Sequence, residues 1–157
     1  MSEEEATLRR ATAADYDRLG VVMFDAIHNG PGAYDTAQRV AWLPTPPEGE
    51  RWAAKLAPQD VILAERAGQM LGFMAWAGGY IDLAFVAASA QRQGVFRALY
   101  GRVEAEARAA GLTALRVHAS LMARPAFEAM GFHVIAAERV ARAGAILDRF
   151  EMEKTLT

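Results

Sequence analysis

A chain of 157 residues that is 53% hydrophobic can bury one substantial core and is short for two, so a single globular domain is expected. With 17 Lys and Arg against 19 Asp and Glu the formal net charge is −2, which offers no general field to nucleic acid or to an anionic membrane. The absence of cysteine excludes a disulfide framework and thiolate chemistry, and three scattered histidines with no second ligand nearby argue against a metal.

Residues 1–6 are acidic and polar, unlike a secretory signal, and no apolar run approaches the length of a membrane span. They read as a flexible N-terminus before a cytoplasmic domain over residues 7–157. Leu8-Arg9-Arg10 forms a short first strand, after which Thr12-Ala13-Ala14-Asp15 has the pattern of a capping box. Leu19, Val22, Met23, Ala26 and Ile27 then recur at helical spacing until His28-Asn29-Gly30-Pro31. A shorter helix is expected over Asp35 to Trp42, stopped by Pro44-Thr45-Pro46-Pro47, with another turn or two around Glu50 to Leu56.

From Val61 the period becomes strand-like. Val61 to Arg66 and Leu71 to Ala77 join at Ala67-Gly68-Gln69, and Gly78-Gly79 reverses the chain into Tyr80 to Val86, giving three antiparallel strands. A helix opened by Gly94 places Phe96, Leu99, Tyr100, Val103, Ala107 and Ala110 on one face and stops at Gly111, leaving Glu104, Glu106 and Arg108 to solvate the other. Leu115 to Ala119 is a strand, and the crossover through this helix makes it parallel to Tyr80–Val86. Ala123 to Met130 forms a short helix with Pro125 in its first turn. Phe132 to Val140 and Ala145 to Lys154 form a final hairpin around Arg142-Ala143-Gly144.

The segment Ala90 to Tyr100 has the form of a phosphate-binding turn. Unpaired N–H groups in the first turn of a helix, with the helix dipole, attract an anion such as a pyrophosphate. Arg92 and Arg97 would add charge, and Gly94 would let the backbone approach the ligand. Plain turn chemistry is the competing reading of one such glycine. Neither a Gly-x-x-x-x-Gly-Lys loop nor a Gly-x-Gly-x-x-Gly turn is present.

The order of elements resembles the GNAT N-acetyltransferase superfamily over residues 7 to 155, and two segments carry the likeness. Gln91-Arg92-Gln93-Gly94-Val95-Phe96 is similar to the family's Q/R-x-x-G-x-G/A acyl-CoA loop. Ser120-Leu121-Met122-Ala123, followed by Phe127 and Gly131-Phe132, resembles its N-x-x-A-x-x-x-Y-x-x-x-G-F segment. The resemblance implies an α/β (α+β) fold whose mixed, mostly antiparallel sheet, flanked by helices, has a V-shaped split between the fourth and fifth strands. It implies acetyl-CoA as acyl donor and no metal. Backbone groups of Leu83, Ala84, Phe85 and Val86 would pair with the pantetheine arm, and an N–H near Leu83 or Ala84 would polarise the thioester carbonyl. Gln91, Arg92, Gln93, Gly94, Val95, Phe96 and Arg97 would hold the diphosphate, while Ser120 and Phe127 border the arm. Two residues depart from the pattern. Phe96 stands where the loop ends in Gly or Ala, and Phe127 replaces a tyrosine that protonates the departing thiolate, which a phenyl ring cannot do.

An acceptor amine must lose a proton, and Asp82, flanked by apolar strand neighbours, is the candidate base, with Tyr80 to orient or relay. An ordinary strand carboxylate paired with an arginine is the competing reading of Asp82. His118 reads as a structural, hydrogen-bonded histidine rather than a base. Ser120 could cap the following helix as well as it could touch pantetheine. His28, Tyr34, Trp42 and Trp76 are the candidate acceptor contacts, against a helix-end role for His28 and core burial for Trp52 and Trp76. With no nucleophile for an acyl-enzyme, the expected chemistry is direct attack by a small-molecule amine in a ternary complex. A homodimer through the last strands is a further expectation. A non-catalytic acyl-CoA-binding or interaction module is the alternative.

Overall fold

Ala67 and Gly68 take left-handed φ values of 52° and 78°, and Gly78 and Gly79 take 57° and 82°, the geometry that matches the twist of antiparallel strands. In the computed structural model, which describes residues 5–32 and 34–157, these reversals join β2 (Asp60–Arg66), β3 (Gln69–Ala77) and β4 (Tyr80–Val86) into a meander. The expected flexible terminus is described only at Glu5 and Ala6; residues 1–4 lie outside the described residues. With β1 (Thr7–Arg10), β5 (Ala114–Ser120), β6 (His133–Arg142) and β7 (Ala145–Thr155) they form one seven-stranded sheet in the order β1-β2-β3-β4-β5-β7-β6. Every neighbouring pair is antiparallel except β4 with β5.

The helices are α1 (Tyr16–Asn29), α2 (Thr36–Trp42), α3 (Gly49–Leu56), α4 (Val95–Ala109) and α5 (Arg124–Ala129). The turn into α1 is held by Asp15, only 6% exposed, which accepts two bonds from Arg9 at 2.8 and 2.9 Å and one from the Thr12 N–H at 2.8 Å. The Arg9 guanidinium holds this carboxyl well below the usual range. The apolar stripe Leu19, Val22, Met23, Ala26 and Ile27 is buried, as its spacing requires. The stretch around Glu50–Leu56 is a full eight-residue helix that buries Trp52 and Leu56.

On α4 the buried face is Val95, Leu99, Tyr100, Val103 and Ala107. Ala110, expected on that face, is exposed because it lies at the C-cap, beyond the last packed turn. Glu104 is also more than a solvating charge. It accepts from Lys154 Nζ at 2.6 Å, Tyr100 Oη at 2.7 Å and Arg108 Nε at 3.2 Å, tying α4 to β7.

The sheet opens at a local irregularity in β4. Ala75 and Trp76 are adjacent on β3 yet pair with Leu83 and Ile81, so Asp82 is the extra residue of a β-bulge. A bulge bends its strand and strengthens the twist. The β4–β5 ladder consists of Tyr80↔Arg116 and Ile81↔Val117. Beyond it β4 pairs only with β3, and β5 only with β7, which is the expected V between the fourth and fifth strands.

Candidate active site

Two cavities meet at this opening. The larger, of roughly 570 Å³, is walled by α3, β4, β5, β7 and the segment around Tyr34–Leu43. The narrower, of roughly 100 Å³, runs between the free stretch of β4 and the start of α5. They share Trp42, Ala84, Phe85, Ser120 and Ala123 as a common wall. The shape is that of a narrow groove leading into a wider chamber.

Asp82 faces the larger cavity from the bulge. Its partners are Gln59 Nε2, donating to Oδ2 at 3.0 Å, and Lys55 Nζ at 3.4 Å. The pairing cation is thus a lysine on α3 rather than the arginine foreseen, and neither Lys55 nor Gln59 carries a motif that would announce it. Tyr80 lines the same cavity with its hydroxyl 2.6 Å from His118 Nδ1. Burial, and then the charge of Asp82, raises the Tyr80 phenol above its ordinary value.

Tyr34 and Trp42 also line the chamber, packed edge to face with ring centroids 5.5 Å apart. The Tyr34 hydroxyl donates to Asp148 O at 2.6 Å and accepts from the Leu121 N–H at 3.0 Å, pinning this wall across the sheet opening. Burial raises its phenol as well. Trp76 and His28 do not join the wall. Trp76 is 4% exposed in the core, and His28 stacks on Phe24 at 4.0 Å with Nε2 2.6 Å from Leu43 O, joining α1 to the end of α2. Trp52 is buried with Nε1 donating to Tyr16 O at 2.6 Å, while another part of it reaches the chamber.

On the groove side, Ala84, Phe85, Val86, Gln91, Phe96 and Ser120 gather around the narrow cavity, and Leu83 faces the chamber. Gln91 Nε2 donates to Val86 O at 2.8 Å, bracing the turn that follows β4. Arg92 and Gly94 take φ values of 63° and 80°, and Gly94 is the N-cap of α4. The first intrahelical acceptor bond is Ala98 N–H to Gly94 O at 3.0 Å, so the amides of Val95, Phe96 and Arg97 precede the helical ladder. Val95 is 3% exposed, its side chain packed beneath the turn. Arg92, Gln93 and Arg97 are exposed around this turn, and Gln93 Oε1 accepts from Arg66 at 2.8 Å.

Phe96 turns inward onto Phe127, with ring centroids 5.0 Å apart at 86°, and Phe127 packs on Phe132 at 5.1 Å. Phe127 is 1% exposed and borders the chamber with no donor group. Ser120 Oγ accepts from the Ala123 N–H at 3.1 Å, holding the turn before α5 rather than capping the helix itself, whose N-cap is Ala123, and the residue borders both cavities.

One constellation was not visible in the chain. The reading of histidines without ligand-type neighbours fails for His118, because β5 pairs with β7 so that His118 lies opposite Glu151, and β6 adds Glu138. His118 Nε2 lies 3.5 Å from Glu138 Oε1 and 4.0 Å from Glu151 Oε2. Only the antiparallel register, which no local motif encodes, brings these residues together.

Comparison with known proteins gives the geometry a context. Residues 37–156 match the family described as Acetyltransferase (GNAT) domain. The uncharacterized N-acetyltransferase YafP of Escherichia coli (strain K12) is 30% identical over 147 residues, spanning 92% of this chain and 93% of its own. A crystal structure of a GCN5-related N-acetyltransferase (Aminotransferase, Class-II) from Rhodopseudomonas palustris superposes with a TM-score of 0.88 at 25% identity, covering 99% of both chains. The Salmonella typhimurium protein YncA, solved with its cofactor acetyl-CoA, has a TM-score of 0.68 at 21% identity, covering 98% of this chain and 95% of that one.

Proposed function

The chain belongs to the GNAT acetyltransferase family, and on that footing we propose that it moves the acetyl group of acetyl-CoA to the amine of a small-molecule acceptor by direct attack in a ternary complex. The observation that carries this reading is the common wall of groove and chamber at Ala84, Phe85 and Ser120, beside Asp82. A donor arm in the groove and an amine in the chamber would meet there without a covalent enzyme intermediate.

The residues present fit acetyl-CoA. A Cβ added at Gly94 would meet nothing within 4 Å, so the turn is uncrowded on that side, and the amides of Val95, Phe96 and Arg97, which precede the helical ladder, are the donors a diphosphate would use. The edge of β4 from Leu83 to Val86 has no strand beside it and offers backbone groups to an extended pantetheine. When bound, acetyl-CoA supplies an activated acyl thioester. Asp82 takes a proton from the acceptor nitrogen, held in place by Lys55 and Gln59. Tyr80 orients that nitrogen, and the aromatic faces of Tyr34 and Trp42 seat the apolar part of the acceptor. Phe127 leaves the departing thiolate to take its proton from water, which a good leaving group permits.

A cytoplasmic setting, where acetyl-CoA is available, and a homodimer through the last hairpin belong to the same proposal. The second is supported by β6, an edge strand of ten residues, and by Ile135 and Ile146, each 48% exposed. Among the described residues no helix is long and apolar enough to cross a membrane. The alternative, a non-catalytic acyl-CoA module, draws on the same Phe127, sealed where the family's hydroxyl would stand.

A thermal-shift titration with acetyl-CoA, CoA and ATP tests the donor. Both CoA species should raise the melting temperature and ATP should not. No shift with saturating CoA would remove the reading.

A further inference from the structure

An acceptor that enters as an ammonium still has a second proton to lose after Asp82 takes the first, and the inference drawn from it rests on the amine-acetylation reading above. We propose that Tyr80, His118 and the carboxylates of Glu138 and Glu151 form a proton relay that opens on the chamber, with His118 as its terminal acceptor. The four side chains come from β4, β5, β6 and β7, which lie side by side at the sheet opening. Tyr80 and His118 both line the chamber, with the hydroxyl 2.6 Å from Nδ1.

The protonation pattern follows from the partners. Ionised carboxylates only accept, and two of them face Nε2, at 3.5 and 4.0 Å, so in the neutral ring the proton sits on Nε2. Nδ1 is then the bare nitrogen, and the Tyr80 hydroxyl donates to it. Both carboxylates stand at ion-pair distance from Nε2 without a formed hydrogen bond, a placement suited to compensating a positive ring. The other charges around the pair are Asp82 on β4, Arg116 on β5 and Arg149 on β7. Arg149 Nε binds Glu138 Oε2 at 2.8 Å, while Glu151 has no lysine or arginine within 4.0 Å among the described residues.

As the acceptor nitrogen forms its bond to the acyl carbon, the carbon–sulfur bond breaks with its electron pair on sulfur. The nitrogen's proton passes to Tyr80 Oη while the phenol's own proton passes to His118 Nδ1. The tyrosine ends neutral, as it began, and the new imidazolium charge is held by Glu138 and Glu151 until solvent removes the proton. The logic is that of a hydroxyl, an imidazole and an orienting carboxylate in line, with the hydroxyl carrying a proton rather than attacking.

Two measurements test the relay. Ring ¹⁵N NMR of His118 in the full chain should show the Nε2–H tautomer, with the Nδ1 signal displaced in Tyr80→Phe; a proton on Nδ1 in the neutral ring overturns the relay. In pH profiles of kcat/KM, Tyr80→Phe and His118→Gln should each lower the plateau by about 10²-fold with acetyl-CoA binding retained, and the double variant should be no slower than the slower single. Glu138→Gln/Glu151→Gln, which keeps the histidine and its fold, should lower the same plateau with acetyl-CoA binding retained. Effects of Tyr80→Phe and His118→Gln that multiply, or a plateau unmoved in the carboxamide variant, overturn the relay while leaving acetylation standing. A wild-type chain inactive on every amine overturns the acetylation reading, and the relay with it.

Discussion

Gln59 Nε2 donates to Asp82 Oδ2 at 3.0 Å, joining the loop after α3 to the bulge on β4. The contact fixes the carboxylate at the point where the strands part. Asp82→Asn keeps the size of the side chain and an oxygen for Gln59, and removes the proton acceptor. It should lower kcat/KM by about 10²-fold or more while acetyl-CoA affinity stays within a factor of two or so. Unchanged turnover would move the base elsewhere.

Gly94 holds φ at 80°, and a Cβ there would meet nothing within 4 Å. The penalty of Gly94→Ala is therefore conformational, about 1 kcal/mol, which corresponds to a fall in melting temperature of roughly 3 °C. Because the same turn presents the amides of α4, acetyl-CoA affinity should weaken by about tenfold. Calorimetric titration checks this, and an affinity equal to wild type would mean that the turn does not hold the diphosphate.

The α4–β7 junction carries a pH signature. Lys154, before any other partner, lowers the Glu104 carboxyl from 4.5 to about 2. A depressed folded pKa stabilises above the unfolded value, so the contribution is complete above 4.5 and disappears as pH falls through about 2. With the side chain 21% exposed, we assign it about 1 kcal/mol after solvent screening. Glu104→Gln should melt roughly 3 °C below wild type at neutral pH, and the difference should narrow steadily in acid. A difference independent of pH would contradict the linkage.

Light scattering on the full chain checks the proposed dimer. Wild type should elute at twice the chain mass at micromolar concentration, and Ile135→Lys with Ile146→Lys should elute as a monomer. A monomeric wild type would leave β6 an open edge.

Much of the fold was legible because local chemistry dictates it. Gly78-Gly79, the proline run after Trp42, and the Gly94 and Gly111 ends of α4 each punctuate the chain where the structure does. The turn from β4 into α4 was legible for the same reason, since a strand-to-helix turn is a contiguous object. What the chain concealed is long-range. Lys55 and Gln59 reach Asp82 only after α3 folds across β4, and Tyr34 meets Asp148 and Leu121 through contacts spanning most of the sequence. His118 meets its carboxylates only through strand register. Trp76 misled because aromatic composition does not say which face of a strand is closed.

Acetyl transfer to an amine at the sheet opening is measured by release of CoA thiol from acetyl-CoA across a panel of small amines, with the product identified by mass spectrometry and initial rates measured against both substrates. An acetylated amine, intersecting sequential kinetics and a rate that depends on Asp82 are the expected result. Tight acetyl-CoA binding with no acetylated product from any amine would contradict it and make the chain a binding module.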